Sequence, residues 1–336
     1  MTQTILLTGI TGFIAKRIAA DLLNAGHTVR GTLRSLDRMQ EVKEALKPVL
    51  TDRTALARLS FVTLDLLHDK GWNTAMDGVD AVIHTASPFP GNQPADEDDL
   101  IRPAVDGALR ALRAAQAAGV TRVVLTSSVV AIMQRDLSDG DTLTGAMWSQ
   151  IDHPSMNAYA KSKTLAEQAA WDFCKTHPEM CLTTINPGLV LGTPLDRHYG
   201  TSLELIDQMI TGKLPALPNF GLAIVDVTDV ARSHVAALSA PDSIGQRFLM
   251  ASTYMMAADL VKILKSAAPD ARTPRVAIPK LVARIVGRFN AQLRSLVPLI
   301  GKRLSVDNAP ARDILGITFT PAAQSVTASV NALRGR

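Results

Sequence analysis

Cysteine is almost missing from this chain. The 336 residues hold only Cys174 and Cys181, too few for a disulfide framework and without zinc-ligand spacing. Both are expected to be plain reduced thiols. The seven histidines form no H-E-x-x-H or similar cluster, so no metal is expected. A dominant charge is lacking too. Lys and Arg number 35 against 31 Asp and Glu, leaving +4. No Lys/Arg-rich run is interleaved with the scarce aromatics, which excludes a nucleic-acid partner. The mild excess suits a local positive patch for a phosphorylated small molecule. No apolar run approaches the ~20 residues of a membrane span. The N-terminus has no basic leader or cleavage site, and its apolar run, Ile5 to Leu7, ends at once in a glycine turn. It reads as a strand rather than a signal peptide. The expected setting is soluble, reducing and cytoplasmic, with no membrane partner.

Apolar residues make up 47% of the chain, enough for one large domain or two linked ones. Strand-like and helix-like segments alternate through the first half. "TILLTG", "HTVRGTLRS", "LSFVTLDL", "VDAVIHTAS", "VTRVVLTSS" and "CLTTINPGLVLG" read as strands. "FIAKRIAADLLNAG", "LIRPAVDGALRALRAAQAAG" and "AYAKSKTLAEQAAWDFCKTH" read as helices. This pattern predicts an α/β fold: a Rossmann-type doubly wound parallel sheet with right-handed crossovers. Further on, "FGLAIVDVTDVARSHVAAL" reads as strand, turn and helix, and "GQRFLMA" as a short strand. The cofactor-binding domain is expected over 1–190 plus about 222–252. A smaller, mostly helical substrate lobe would take about 191–221 plus 253–336. The basic stretch "KLVARIVGRFNAQLRSLVPLIGKRL" has the composition of a membrane-surface helix. Its Pro and Gly breaks favour short lobe helices with solvated basic faces.

"LLTGITGFIAKRI" follows a strand and opens a helix, the context that gives a glycine turn meaning. Bare N–H groups at a helix start bind an anion with the help of the helix dipole. Gly9 permits the tight turn, Gly12 lets the backbone approach a pyrophosphate, and Ala15 is small enough for helix–strand packing. A structural turn without ligand is the plainer alternative. The G-x-x-G-x-x-A form resembles the TGxxGxxG signature of extended short-chain dehydrogenases/reductases. "LDL", "HTASP", "LTSS", "YAKSK", "NPG", "DVTDVA" and "DNAPARDILGITF" resemble that family's further motifs, in its order and over nearly the whole chain. The resemblance implies a dinucleotide held by Thr8, Gly9, Thr11, Gly12, Phe13 and Ile14 in the turn. It adds Asp65 and Leu66, Thr85, Ala86 and Ser87, Thr126, Lys163, and Pro187, Gly188, Leu189 and Val190.

An NAD enzyme usually ends its second strand with a carboxylate for the ribose 2′-hydroxyl. Here Thr32, Leu33, Arg34 and Ser35 stand there. Arg34, with Arg38 one turn further, suits a 2′-phosphate, so the expected cofactor is NADP(H). Tyr159 and Lys163 are four apart in a helical segment and share a face. An ammonium there favours the phenolate of a group that otherwise titrates near pKa ~10. The resemblance makes Tyr159 the proton donor, Lys163 its helper and holder of the nicotinamide ribose, and Ser128 the group orienting the carbonyl. Ser127 could be a strand-end residue bonded to backbone. No G-x-S-x-G elbow points to a hydrolase.

"RPAVDGAL" lacks the asparagine that many relatives carry in this helix, and resembles the branch of dihydroflavonol 4-reductases, cinnamoyl-CoA reductases and NADPH-dependent aldehyde/ketone reductases. "MNAYAKSK" departs from the cinnamoyl-CoA reductase motif. Met133 stands where dihydroflavonol reductases commonly place Asn, and suits an apolar carbonyl. Simple core filling is the competing reading. Phe89, Met133, Tyr199 and Ser202 are the candidate pocket residues, with Phe220 a further wall. His84 reads as a packed strand-end residue. The expected activity is NADPH-dependent reduction of a small aldehyde or ketone to an alcohol. A dihydroflavonol reductase, a nucleotide-sugar epimerase/dehydratase and an NADP-sensing binding protein are the alternatives.

Overall fold

The computed structural model describes residues 2–87 and 96–335. The chain begins with β1 (Thr4–Thr8), α1 (Phe13–Asn24), β2 (Thr28–Leu33), α2 (Met39–Leu46), β3 (Leu59–Thr63), α3 (Trp72–Met76) and β4 (Ala81–His84). It continues through α4 (Asp98–Ala117), β5 (Arg122–Thr126), the short α5 (Val130–Met133), β6 (Thr142–Leu143) and α6 (Ala158–Thr176). Then come β7 (Cys181–Pro187), β8 (Leu189–Leu191), α7 (Gly200–Ile210), β9 (Ala216–Leu217), β10 (Gly221–Asp226) and α8 (Val227–Ser239). The remaining strands are β11 (Arg247–Met250), β12 (Thr253–Met256), β13 (Arg275–Val276) and β14 (Ser305–Val306), and a last helix runs Ala322–Arg334.

Among the described residues, seven strands form one parallel sheet in the order β11-β7-β5-β4-β1-β2-β3. The reversal beside β1 puts the carboxyl ends of β1 and β4 next to each other, which is where an open α/β sheet takes its ligand. The strands are apolar because helices cover both faces. Ile5, Leu7, Ile83 and Val124 pack with α1 and α8 on one face; Leu6, Val82, Val123 and Leu125 pack toward α3, α4 and α6 on the other.

The structure differs from the sequence reading in four places. "CLTTINPGLVLG" is two strands, not one. At Gly188 the chain leaves the main sheet, and β8 pairs with β10 in a second sheet that β12 completes. A Cβ on Gly188 would lie 2.2 Å from the Ala223 carbonyl oxygen, so only glycine lets the two backbones meet. The third strand stops at Thr63, short of Asp65. No turn separates β10 from α8, because Asp226 caps the helix directly by accepting from the Thr228 N–H at 2.8 Å. Finally, the helix Lys280–Val286 exposes Leu281, Val282 and Ile285 as well as its basic side chains. A second apolar cluster lies under α5, α7 and the last helix; it includes Met133, Leu203, Phe220, Leu260 and Val326.

Candidate active site

The glycine turn is built for close approach. Gly9 has φ +68°, and a Cβ there would sit 3.0 Å from Ala86. Gly12 is the N-cap of α1 and provides no side-chain cap, and the helix has no acidic residue in its first turn. Its leading N–H groups are therefore open to an anion without competition from a side chain. Thr8 ties the turn to β4: its hydroxyl accepts from the Thr85 and Ala86 N–H groups at 3.1 Å, and Thr85 Oγ1 donates to the Thr8 carbonyl at 2.6 Å. His84 is buried, 2.9 Å from Thr8 Oγ1, and burial pushes its pKa down to about 3. It is a neutral packed residue.

At the adenosine end, Arg34 is exposed. Asp65 accepts from the Leu67 N–H at 3.0 Å. That bond, His68 and then Arg34 hold its carboxyl below the usual range, so Arg34 and Asp65 lie in one neighbourhood. Arg38 is already engaged by Glu41, through Nε at 3.0 Å and Nη2 at 2.6 Å. His198 approaches the same carboxylate at 3.1 Å. Beside them the buried Lys16 ammonium pairs with Asp196. Glu41, Asp196 and His198 come close enough to hold a metal ion, but Lys16 and Arg38 already neutralise both carboxylates.

Ser128 lies just beyond the end of β5 and Tyr159 in the first turn of α6. Asn157 caps that helix, accepting from the Ala160 N–H at 2.9 Å. The Tyr159 hydroxyl and the Ser128 side chain are hydrogen-bonded. Burial raises the Tyr159 pKa above 10, and the Ser128 bond opposes that rise. In the protein without a bound dinucleotide, desolvation is the largest influence on the tyrosine. Lys163 is part-buried, and desolvation lowers it to about 8 against the opposing Glu167 carboxylate.

Of the remaining expected residues, Thr11, Phe13, Ile14, Leu66, Ser87, Gly188 and Leu189 are part-exposed, and Pro187 and Val190 are buried. The Thr126 hydroxyl is held by His234 Nε2 at 2.7 Å. Met133 is buried in the second apolar cluster, with Tyr199 packed against that cluster, and Ser202 is part-exposed. Phe89 lies outside the described residues. A surface cavity of about 340 Å³, lined by Tyr254, Asp259 and Arg303 among others, shares no residue with this site. The sequence reading passed over Glu167 and Arg247. Ser127 donates to the Glu167 carboxylate at 2.5 Å rather than to backbone. A carboxylate four residues after Lys163 was the one sequence signal for it.

The sheet order, the glycine turn and the serine–tyrosine contact define a Rossmann-type dinucleotide-binding protein of the short-chain dehydrogenase/reductase kind. The chain belongs to the NAD dependent epimerase/dehydratase family, whose model matches residues 5–251. It is 35% identical to cinnamoyl-CoA reductase 1 of Arabidopsis thaliana over 275 residues, 81% of this chain and 77% of that protein. It is 28% identical to a putative NADPH-dependent methylglyoxal reductase of Candida albicans, over 99% of both chains. The solved yeast methylglyoxal/isovaleraldehyde reductase Gre2, complexed with NADPH, superimposes with a TM-score of 0.80 at 26% identity, covering 99% of both chains.

Proposed function

We propose that the protein reduces an aldehyde or ketone to the alcohol with NADPH. The observation that carries this is the hydrogen bond between Tyr159 and Ser128 at the carboxyl edge of the sheet, one helical turn from the part-buried Lys163. The turn 9–14 with its open N–H groups, and the exposed Arg34, fit a phosphorylated dinucleotide. When bound, its nicotinamide supplies the hydride that adds to the carbonyl carbon. Ser128 donates to the carbonyl oxygen and orients it. Tyr159, kept protonated by burial, delivers its proton to that oxygen as negative charge develops there. Lys163 holds the ribose hydroxyls and makes the resulting phenolate less costly. The reductase names of the relatives and the NADPH in the yeast structure support the reading.

A second reading, reduction of an acyl-CoA thioester, draws on the 35% identity to cinnamoyl-CoA reductase. NADPH oxidation over a panel of aldehydes, ketones, acyl-CoA thioesters and dihydroflavonols tests both. The highest kcat/KM is expected on a small or aryl aldehyde or an activated ketone. A clear preference for a thioester or for dihydroquercetin would overturn this assignment.

A further inference from the structure

Glu167 is the most heavily engaged buried carboxylate near the site. Its side chain is 0% exposed. Oε2 accepts from Ser127 Oγ at 2.5 Å and Asn186 Nδ2 at 2.7 Å. Oε1 accepts from Thr184 Oγ1 at 2.9 Å and Arg247 Nε at 2.6 Å. These four donors come from just past the end of β5, from β7 and from the edge strand β11, and Trp171 of α6 itself adds a longer bond to Oε1 at 3.4 Å. Asn186 also donates to the Ser128 carbonyl at 3.3 Å, so the residue carrying the carbonyl-orienting hydroxyl is held through the same side chain. Arg247 extends the network outward. It donates to the Gly145 carbonyl at 2.7 Å and lies 3.6 Å over the Trp148 ring, which fixes the segment that follows α5.

We propose that Glu167, paired with Arg247, is a positioning residue of the active site, fixing the Ser127–Ser128 strand end and placing a negative charge one helical turn from Lys163. Sequence spacing puts Lys163 and Glu167 on one face of α6. The other titratable group coupled to Lys163 from a neighbouring element is His84, which is neutral above about pH 3. Glu167 is therefore the charge that opposes the burial of the ammonium. A buried ion pair of this kind often adds little to stability. Its worth lies in geometry and in the charge state of a neighbour.

This inference rests on the carbonyl-reductase reading for what Lys163 does in turnover, so the test includes a readout without turnover. NADPH affinity is measured by fluorescence titration between pH 6 and 10 for the wild type, Glu167→Gln and Glu167→Asp, alongside kcat on the best carbonyl. Wild-type affinity should fall as Lys163 loses its proton. In Glu167→Gln that fall should move to lower pH by ~1 unit, the usual scale for removing a nearby opposite charge, and kcat should drop at least tenfold. Glu167→Asp should restore most of the pH profile. Should Glu167→Gln fail to fold, Ser127→Ala isolates the positioning half: kcat lowered severalfold with NADPH affinity unchanged. A Glu167→Gln profile that coincides with wild type, or a Ser127→Ala variant with wild-type kcat, overturns the proposal. If Glu167→Gln shows the shift with NADPH yet the wild type reduces no carbonyl, the reductase reading is overturned instead and the Glu167 role stands.

Discussion

Burial pushes the Lys163 ammonium down from 10.5 to about 8, and this has opposite effects on stability and on the site. An unfolded chain keeps that proton up to about pH 10.5, so between pH 8 and 10.5 it binds more protons than the folded protein. Stability contributed by this group therefore rises with pH across that window, and below about pH 8 the folded state carries the whole cost of the buried charge, ~3 kcal/mol. Lys163→Met is expected to raise Tm at pH 7 and to abolish tight NADPH binding. Melts at pH 7 and pH 10 check it, because the gain should shrink at the higher pH. Tyr159→Phe keeps the ring and removes the exchangeable proton. Turnover should fall by ~100-fold or more with NADPH binding nearly unchanged; normal turnover would place the proton donor elsewhere. Arg34→Asp should weaken NADPH far more than NADH in parallel fluorescence titrations, and equal losses would remove the 2′-phosphate assignment. Arg38 should matter less, since Glu41 already engages its guanidinium.

The strand-and-helix alternation was legible in the sequence because buried parallel strands are short apolar runs and the helices between them are long. The motifs of the glycine turn, Ser128, Tyr159 and Lys163 were legible for a related reason: each stands at a fixed short offset from one strand end or helix start. What escaped lies between elements. Nothing local marks Gly188 as the point where β7 ends and β8 joins another sheet, since both halves are β-rich. Gly188→Ala tests whether close backbone approach is the reason for the break. Its Cβ would press on the Ala223 carbonyl oxygen, and the strain should cost ~1–3 kcal/mol. A lower Tm and weaker cofactor binding together are expected; an unchanged melt would show that the second sheet can shift. The Arg38–Glu41, Lys16–Asp196 and Glu167–Arg247 pairs show the same limit. Two of them join residues 180 and 80 positions apart, and the local pair, three residues apart, draws its meaning from His198 beside it.

Across the whole molecule, charge joins what the strand order separates. Lys16 sits in the helix that opens at the glycine turn, and Asp196 in the loop between β8 and α7. Asp196→Asn would leave a buried ammonium without its counter-charge, which typically costs ~3–5 kcal/mol. Urea denaturation should show that loss, while Lys16→Met with Asp196→Asn should recover most of it. A single Asp196→Asn variant as stable as the wild type would mean that the lysine escapes to solvent. The small pairing of β6 with β14 reaches almost as far: Thr142 and Ser305 are joined at 2.7 Å across 163 positions. A ribosome makes these two strands well apart in time, at ~5–20 residues per second. For roughly ten seconds or longer at that rate, the nascent chain holds β6 without the strand that pairs with it. During biosynthesis, the apolar surface beneath β6 is in the care of whatever meets the growing chain first.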